Sequence, residues 1–400
     1  MVDVDRIRED FPLLKTGVIY FDNAASSLTP KIVVDKMVEY FLEYRANIER
    51  GIYELSRRAD EEYEDARRRI AKFLGAKSMQ EIVFAKNTTE AINIVAHSLN
   101  FRKNNKIVTT LLEHHSNFLP WIRCKELYGV KVETVKPNSQ GFLDLSDFEK
   151  IVDDNTKVVA VTHVSNVLGI ITPIKKIAEI AHEHNALMVV DGAQSTPHLK
   201  IDVKNLDCDF FAFSGHKMCG PTGSGGLYIR EDLLETLKPI YVGGGTVEYV
   251  NSESYRLHED PTKFEAGTPA IGEVIGLKAA VEYLESIGLE NIEQYERMLS
   301  RKIYEGLMEF PNVEVYGPEP KFKLSVTSFN VDGLGPHDVA LILDSTAKIA
   351  VRSGMHCAQP LIRIVLGKPQ GTVRASTYLY NTKDEVEKFL SVIEQISKLK

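Results

Sequence analysis

The chain has 400 residues, 44% hydrophobic and 26% charged, which is too long for a single small module and apolar enough to bury a large core. Its net charge of −8 gives no electrostatic reason for nucleic acid or an anionic membrane as partner, and no run of about 18 apolar residues exists to span a bilayer. The charged stretch from Met1 to Asp10 lacks the apolar segment of a signal peptide. Cys124, Cys208, Cys219 and Cys357 form no CxxC pair, so neither a disulfide scaffold nor a metal site is expected, and a reducing cytoplasm is the natural setting.

In chain order, short β-branched runs alternate with helical patterns. Strands are expected at Glu81–Ala85, Lys106–Thr110, Val130–Val135, Val158–Val164, Leu187–Val190, Phe210–Phe213 and Gly226–Ile229. Asn87 caps a helix with Glu90 at its third position and Ile92, Val95, Ala96 and Leu99 on one face. Thr172-Pro173 opens another, with Ile174, Ile177, Ala178 and Ala181 facing inward. Near-continuous apolar strands separated by helices imply an α/β fold, a mostly parallel sheet covered on both faces. The character changes near residue 270. A helix over Ile271–Ile287 carries Val274, Leu277, Val281 and Leu284, mixed strands and helices follow, and Thr382 with Glu385 caps a last helix bearing Val386, Phe389, Leu390 and Ile393. The reading is a large domain of residues 22–270 and a smaller α+β domain of 271–400 joined by residues 1–21.

Ligands of open α/β sheets bind beyond the carboxyl ends of the strands. There the expected strands deliver His114, Asn166, Asp191 and Ser214-Gly215-His216-Lys217. Each alone has an ordinary explanation, such as a surface lysine or an Asp-Gly turn; together they bring an imidazole, an amide, a carboxylate and an amine to one rim. Lys217 suits a Schiff base, which needs a neutral amine in a partly desolvated site. Pyridoxal 5′-phosphate also needs a carboxylate at its pyridine nitrogen, a role open to Asp191. Its phosphate needs N–H donors at a helix start, as Asn87-Thr88-Thr89-Glu90 offers; Gly243-Gly244-Gly245-Thr246 is less suited, since no clear helix follows. Cys357 reads as a loop thiol whose thiolate Arg352 and His356 favour. Cys124 and Cys208 read as small buried hydrophobes, and Cys219 fits either description. No GxGxxG follows the first strand, which disfavours a nicotinamide-binding fold.

Ser214–Lys217 followed by Gly220-Pro221-Thr222-Gly223, Asp191-Gly192-Ala193-Gln194, Glu113-His114-His115 and the segment Arg352–Leu361 occur in one order, with Phe264–Pro269 and Tyr20–Ala25 beside them. In these the chain resembles the class V aminotransferase family of fold-type I pyridoxal-phosphate enzymes, and more closely the Suf-type (group II) cysteine desulfurases and selenocysteine lyases, from Phe11 to the C-terminus. The resemblance implies a covalent cofactor on Lys217, Asp191 at the pyridine nitrogen, His114 stacked on the ring and Gln194 at the phenolic oxygen. It implies a phosphate held by Thr88, Thr89, Ser214 and His216, with Thr268 from a second subunit of a homodimer. Asn166 and Arg374 would grip the carboxylate of L-cysteine, with Arg352 beside them, and Cys357 would receive the sulfur and pass it to an acceptor protein for iron–sulfur or other cofactor assembly. Selenocysteine lyase, class V aminotransferase and a non-catalytic sulfur-transfer scaffold are the alternatives. Glu49 and Tyr53, Met355 and Cys219 depart from the family pattern, the first three where histidines are usual and the last where an aromatic is common.

Overall fold

The computed structural model describes residues 2–398. The chain runs through α1 (Val4–Glu9), β1 (Ile19–Tyr20), α2 (Lys31–Glu43) and α3 (Glu54–Phe73) before the main sheet begins. That sheet consists of β2 (Ile82–Ala85), β3 (Lys106–Thr110), β4 (Lys131–Val135), β5 (Thr156–Thr162), β6 (Leu187–Asp191), β7 (Phe210–Ser214) and β8 (Gly225–Ile229). Their order is β2-β8-β7-β6-β5-β3-β4, and only β8 runs against the rest. Successive side chains point to opposite faces of a strand, and both faces are apolar here. Val158, Ala160, Val189, Phe210 and Ala212 pack in one core, while Val159, Val161, Val190, Phe211 and Phe213 pack in the other. This is the doubly covered, mostly parallel sheet expected from the sequence.

The helices α4 (Thr88–Ser98), α5 (Leu119–Tyr128), α6 (Leu145–Ile151), α7 (Ile174–Glu183) and α8 (Val203–Leu206) connect these strands, and α9 (Glu231–Leu234) follows the last of them. Asn87 caps α4 by accepting from the Glu90 amide at 3.0 Å. The start of α7 differs from expectation: Pro173 stands one position before the first helical residue, and the buried Thr172 hydroxyl makes no capping bond. Its inward face, Ile174, Ile177, Ala178 and Ala181, is as expected.

Beyond the sheet lie a hairpin of β9 (Val247–Val250) and β10 (Tyr255–Leu257), then α10 (Ile271–Ile287) and α11 (Leu289–Met308). They are followed by β11 (Val313–Tyr316), β12 (Val326–Val331), α12 (Pro336–Ala347), β13 (Ile349–Ala350), β14 (Arg352–Gly354), β15 (Thr372–Ser376) and α13 (Lys383–Ser397). The antiparallel sheet β11-β12-β15-β14 has its own core with α11, α12 and α13, built on Leu299, Phe329, Leu343 and Phe389. By contrast, α10 packs on α2 and α3, and its Val274, Leu277, Val281 and Leu284 belong to the core of the large sheet. We therefore propose that the smaller unit starts at Gly288 rather than at residue 271. The N-terminal segment bridges the two, since Phe11 sits in the large core while β1 pairs with β13.

Candidate active site

The carboxyl ends of β3, β5, β6 and β7 open on a cleft of about 320 Å³, closed from the opposite side by β14, β15 and the loop that carries Cys357. Thr88, Thr89, His114, Asn166, Asp191, Gln194, Ser214, His216, Lys217, Arg352, Cys357 and Arg374 all line it. Thr268 does not; it lies on a separate surface cleft with Tyr241, Gly243, Gly244 and Glu265.

Local packing aims Lys217 into the cleft. After β7 the chain makes a tight turn over Gly215–Lys217, and a Cβ on Gly215 would lie 2.3 Å from the Ser224 hydroxyl, so only glycine fits. Desolvation lowers the Lys217 amine to about 8, against the opposing pull of Asp191. Asp191 is buried, accepts from the Ala193 amide at 2.9 Å, and has its carboxyl pushed up by burial. At the start of α4, Thr88 Oγ1 lies 2.7 Å from Ser214 Oγ, and Thr89 Oγ1 lies 2.6 Å from Ser116 Oγ. Hydroxyls thus gather at a helix start, a corner suited to an anion, although the Thr88 amide there donates to Ser214 Oγ at 2.8 Å and the Glu90 amide to Asn87. Gln194 donates to the Ala24 carbonyl at 2.7 Å, and its buried Oε1 has no partner. An amine of lowered basicity, a buried carboxylate, an orphaned amide oxygen and a hydroxyl-lined helix start together fit pyridoxal phosphate.

Two histidines have their protons fixed by backbone groups. The Ser116 amide donates to His114 Nδ1 at 3.1 Å, and burial lowers this imidazole to about 3. An N–H only donates, so the neutral ring of His114 carries its proton on Nε2. His356 Nε2 lies 3.0 Å from the Thr372 carbonyl, which only accepts, so Nε2 is again the protonated nitrogen. Burial lowers His356 to about 3. His356 is therefore neutral near pH 7 and adds no positive charge to the cysteine loop, contrary to the sequence-based expectation. Arg352 is committed to Asp22, at 2.7 Å from Nη2 and 3.3 Å from Nε.

Cys357 is exposed, whereas Cys124, Cys208 and Cys219 are buried. His356 and Cys357 both have left-handed backbones, with φ of +49° and +52°. For non-glycine residues this conformation costs on the order of 1 kcal/mol each and persists only where neighbours enforce it. Here the His356 carbonyl accepts from Asn166 Nδ2 at 2.8 Å and the Cys357 carbonyl from the His115 amide at 2.7 Å. Cys219 points away from this chemistry, with its amide on Ser27 Oγ at 2.8 Å and its thiol pKa raised by burial. Among the described residues no cluster of three His, Cys, Asp or Glu side chains could hold a metal.

Sequence reasoning assigns no role to Asp22 or Ser116. Ser116 has a local signal, lying two residues after His114. Asp22 has none, because its arginine partners are 330 and 352 residues away in the chain.

The chain matches the aminotransferase class-V family over residues 19–389. It is 49% identical over 396 residues to a probable cysteine desulfurase of Pyrococcus abyssi (strain GE5 / Orsay), covering 98% of this chain and 97% of that one. The apo structure of a cysteine desulfurase from Thermococcus onnurineus NA1 superposes with a TM-score of 0.95 at 50% identity, over 100% of this chain and 98% of that one. The cysteine desulfurase CsdA of Escherichia coli, in an S-sulfonic acid form, gives a TM-score of 0.92 at 33% identity, over 99% and 98%. Geometry, sequence and superposition agree, and the chain belongs to the class-V aminotransferase family.

Proposed function

We propose that this protein is a pyridoxal-phosphate-dependent cysteine desulfurase, converting L-cysteine to L-alanine and leaving a persulfide on Cys357. The observation that carries this reading is an exposed thiol held in a strained loop on the same cleft as Lys217 and Asp191. An aminotransferase has no use for such a thiol.

Thr88, Thr89, Ser214 and His216 would hold the cofactor's phosphate, Asp191 would face its pyridine nitrogen, Gln194 its phenolic oxygen, and Lys217 would be its covalent anchor, with His114 over the ring. Pyridoxal phosphate, when bound, supplies the electron sink that makes the Cα proton of an amino acid removable. Arg374 and Asn166, with Arg352 at the edge, orient the substrate carboxylate. Lys217 is placed to take the Cα proton, and a pKa of about 8 keeps a useful fraction of its amine unprotonated near neutrality. His114 carries its proton on Nε2 and donates from there. Cys357 thiolate attacks the substrate sulfur, the S–S bond forms as C–S breaks, and the electron pair stays with carbon until one proton reaches Cβ and another returns to Cα to complete alanine.

Thr268 lies away from its own chain's cleft, which supports a homodimer in which it reaches the partner's phosphate site. The exposed Cys357 supports delivery of sulfur to an acceptor protein, and four free thiols support a reducing, cytoplasmic setting. The test is Cys357→Ala. Alanine formation from L-cysteine should be lost, and mass spectrometry of the wild type after L-cysteine should find one added sulfur on the Cys357 peptide. Full activity of the variant, or sulfur on Cys219, would overturn the assignment. Cleavage of selenocysteine should persist in part in the variant, since selenium leaves carbon without needing the thiol.

A further inference from the structure

We infer that Asp22 is a positioning residue for recognition of the substrate's α-carboxylate, holding Arg374 and Arg352 together as a cation pair that is one anion short. The inference rests on the reading of Arg374 as the carboxylate-binding group.

Arg352 and Arg374 stand directly opposite each other across the antiparallel β14–β15 pair. Like charges in that register repel and weaken the sheet. Asp22 runs alongside, bridged to Ser376, with Oδ1 accepting from Arg374 Nη2 at 3.3 Å and Oδ2 from Arg352 Nη2 at 2.7 Å. Among the described residues neither guanidinium has another carboxylate partner. Two cations therefore share one anion.

The remaining charge sits on the buried side. Arg374 has 3% of its side chain exposed, donates from Nη1 to the Asn166 carbonyl at 3.0 Å, and leaves Nε without an acceptor. A buried N–H left unpaired is unfavourable, and a second carboxylate would satisfy it while bringing the charges to balance. Asp22 is well placed to organise this, because its own segment is fixed. Asn23 donates to the Ser376 carbonyl at 2.7 Å, and the Ala24 amide donates to the Ser376 hydroxyl at 2.9 Å. The arginines are arranged about Asp22, not the reverse. Without its charge, the half-exposed Arg352 turns to solvent and Arg374 keeps a single anchor, so carboxylate recognition weakens while amine recognition does not.

The test uses the holoenzyme and two unreactive ligands, L-alanine and ethylamine, titrated by the change in the cofactor's visible absorbance. The ratio of their affinities reports carboxylate recognition, and a normal ethylamine response shows that the site is intact. Asp22→Asn should lower the preference for L-alanine by about tenfold or more, with ethylamine affinity unchanged. Asp22→Glu, which keeps the anion beside both guanidinium groups, should keep part of the preference, a rescue by charge that a purely structural defect would not show. If Arg374→Gln keeps the preference, the reading of Arg374 falls. If Arg374→Gln loses it while Asp22→Asn keeps it, or if Asp22→Glu does no better than Asp22→Asn, the role of Asp22 falls.

Discussion

Lys217 is set apart from the chain's other lysines by its place at the end of β7 in the cleft. Its amine, lowered to about 8, should make cofactor capture by the cofactor-free protein accelerate as pH rises through about 8 and level off above it. A lysine at its usual value near 10.4 would show no plateau in that range; stopped-flow mixing across pH distinguishes the two. The thiols separate as sharply. Iodoacetamide on the native protein should label Cys357 and spare Cys124, Cys208 and Cys219, which should react only after unfolding, as peptide mapping would show. At this scale much was legible, because Lys217, Asp191 and Cys357 each follow a recognisable run of residues. What sequence misread was charge: His356 sits beside arginines, but burial keeps its ring neutral, and burial is not a local property of sequence.

The elements divide by how strongly their caps and faces announce them. Thr382 and Glu385 form the reciprocal capping box at α13 that their spacing suggests, so Thr382→Ala should cost about 1 kcal/mol in urea unfolding. The helix α3 gave no comparable signal, because the face it buries mixes Tyr63, Ile70 and Phe73 with Ser56, Ala59, Ala66, Ala71 and even the charged Arg67. Arg67 donates to the Ile82 carbonyl at 2.8 Å and is paired above all with Glu265, which lies 2.7 and 3.0 Å from its Nη1 and Nη2 and also accepts from the Phe84 amide at 2.6 Å. This buried pair fastens the Phe264–Pro269 segment to α3 and β2. Arg67→Met, which strands the Glu265 carboxylate, should destabilise the protein by about 3–5 kcal/mol in the same assay. Cofactor binding should weaken as well, since Thr268 lies three residues beyond the clamp.

For the whole molecule, the layered architecture was readable because β5, β6 and β7 are apolar on both faces, whereas the boundary we propose at Gly288 has no signal in the sequence, because α10 carries an apolar stripe whichever sheet it covers. Association is expected from the surface. Ile32, Val34, Val38 and Leu42 of α2 and Ile52, Tyr53 and Leu55 before and within α3 are exposed, a set of large apolar side chains that a second copy would cover. Sedimentation should give twice the chain mass of 44.9 kDa, and Leu42→Asp should shift the population toward monomer. The pairing of β1 with β13 and of Asp22 with Ser376 joins the start of the chain to its end. During synthesis on the ribosome, residues 88–217, which carry the candidate cofactor contacts of the cleft, emerge well before Arg352 and Arg374. A nascent chain can thus assemble the place for its cofactor before it has made the two arginines proposed to tell an amino acid from a simple amine; that pair is complete only when the last strand closes over the first.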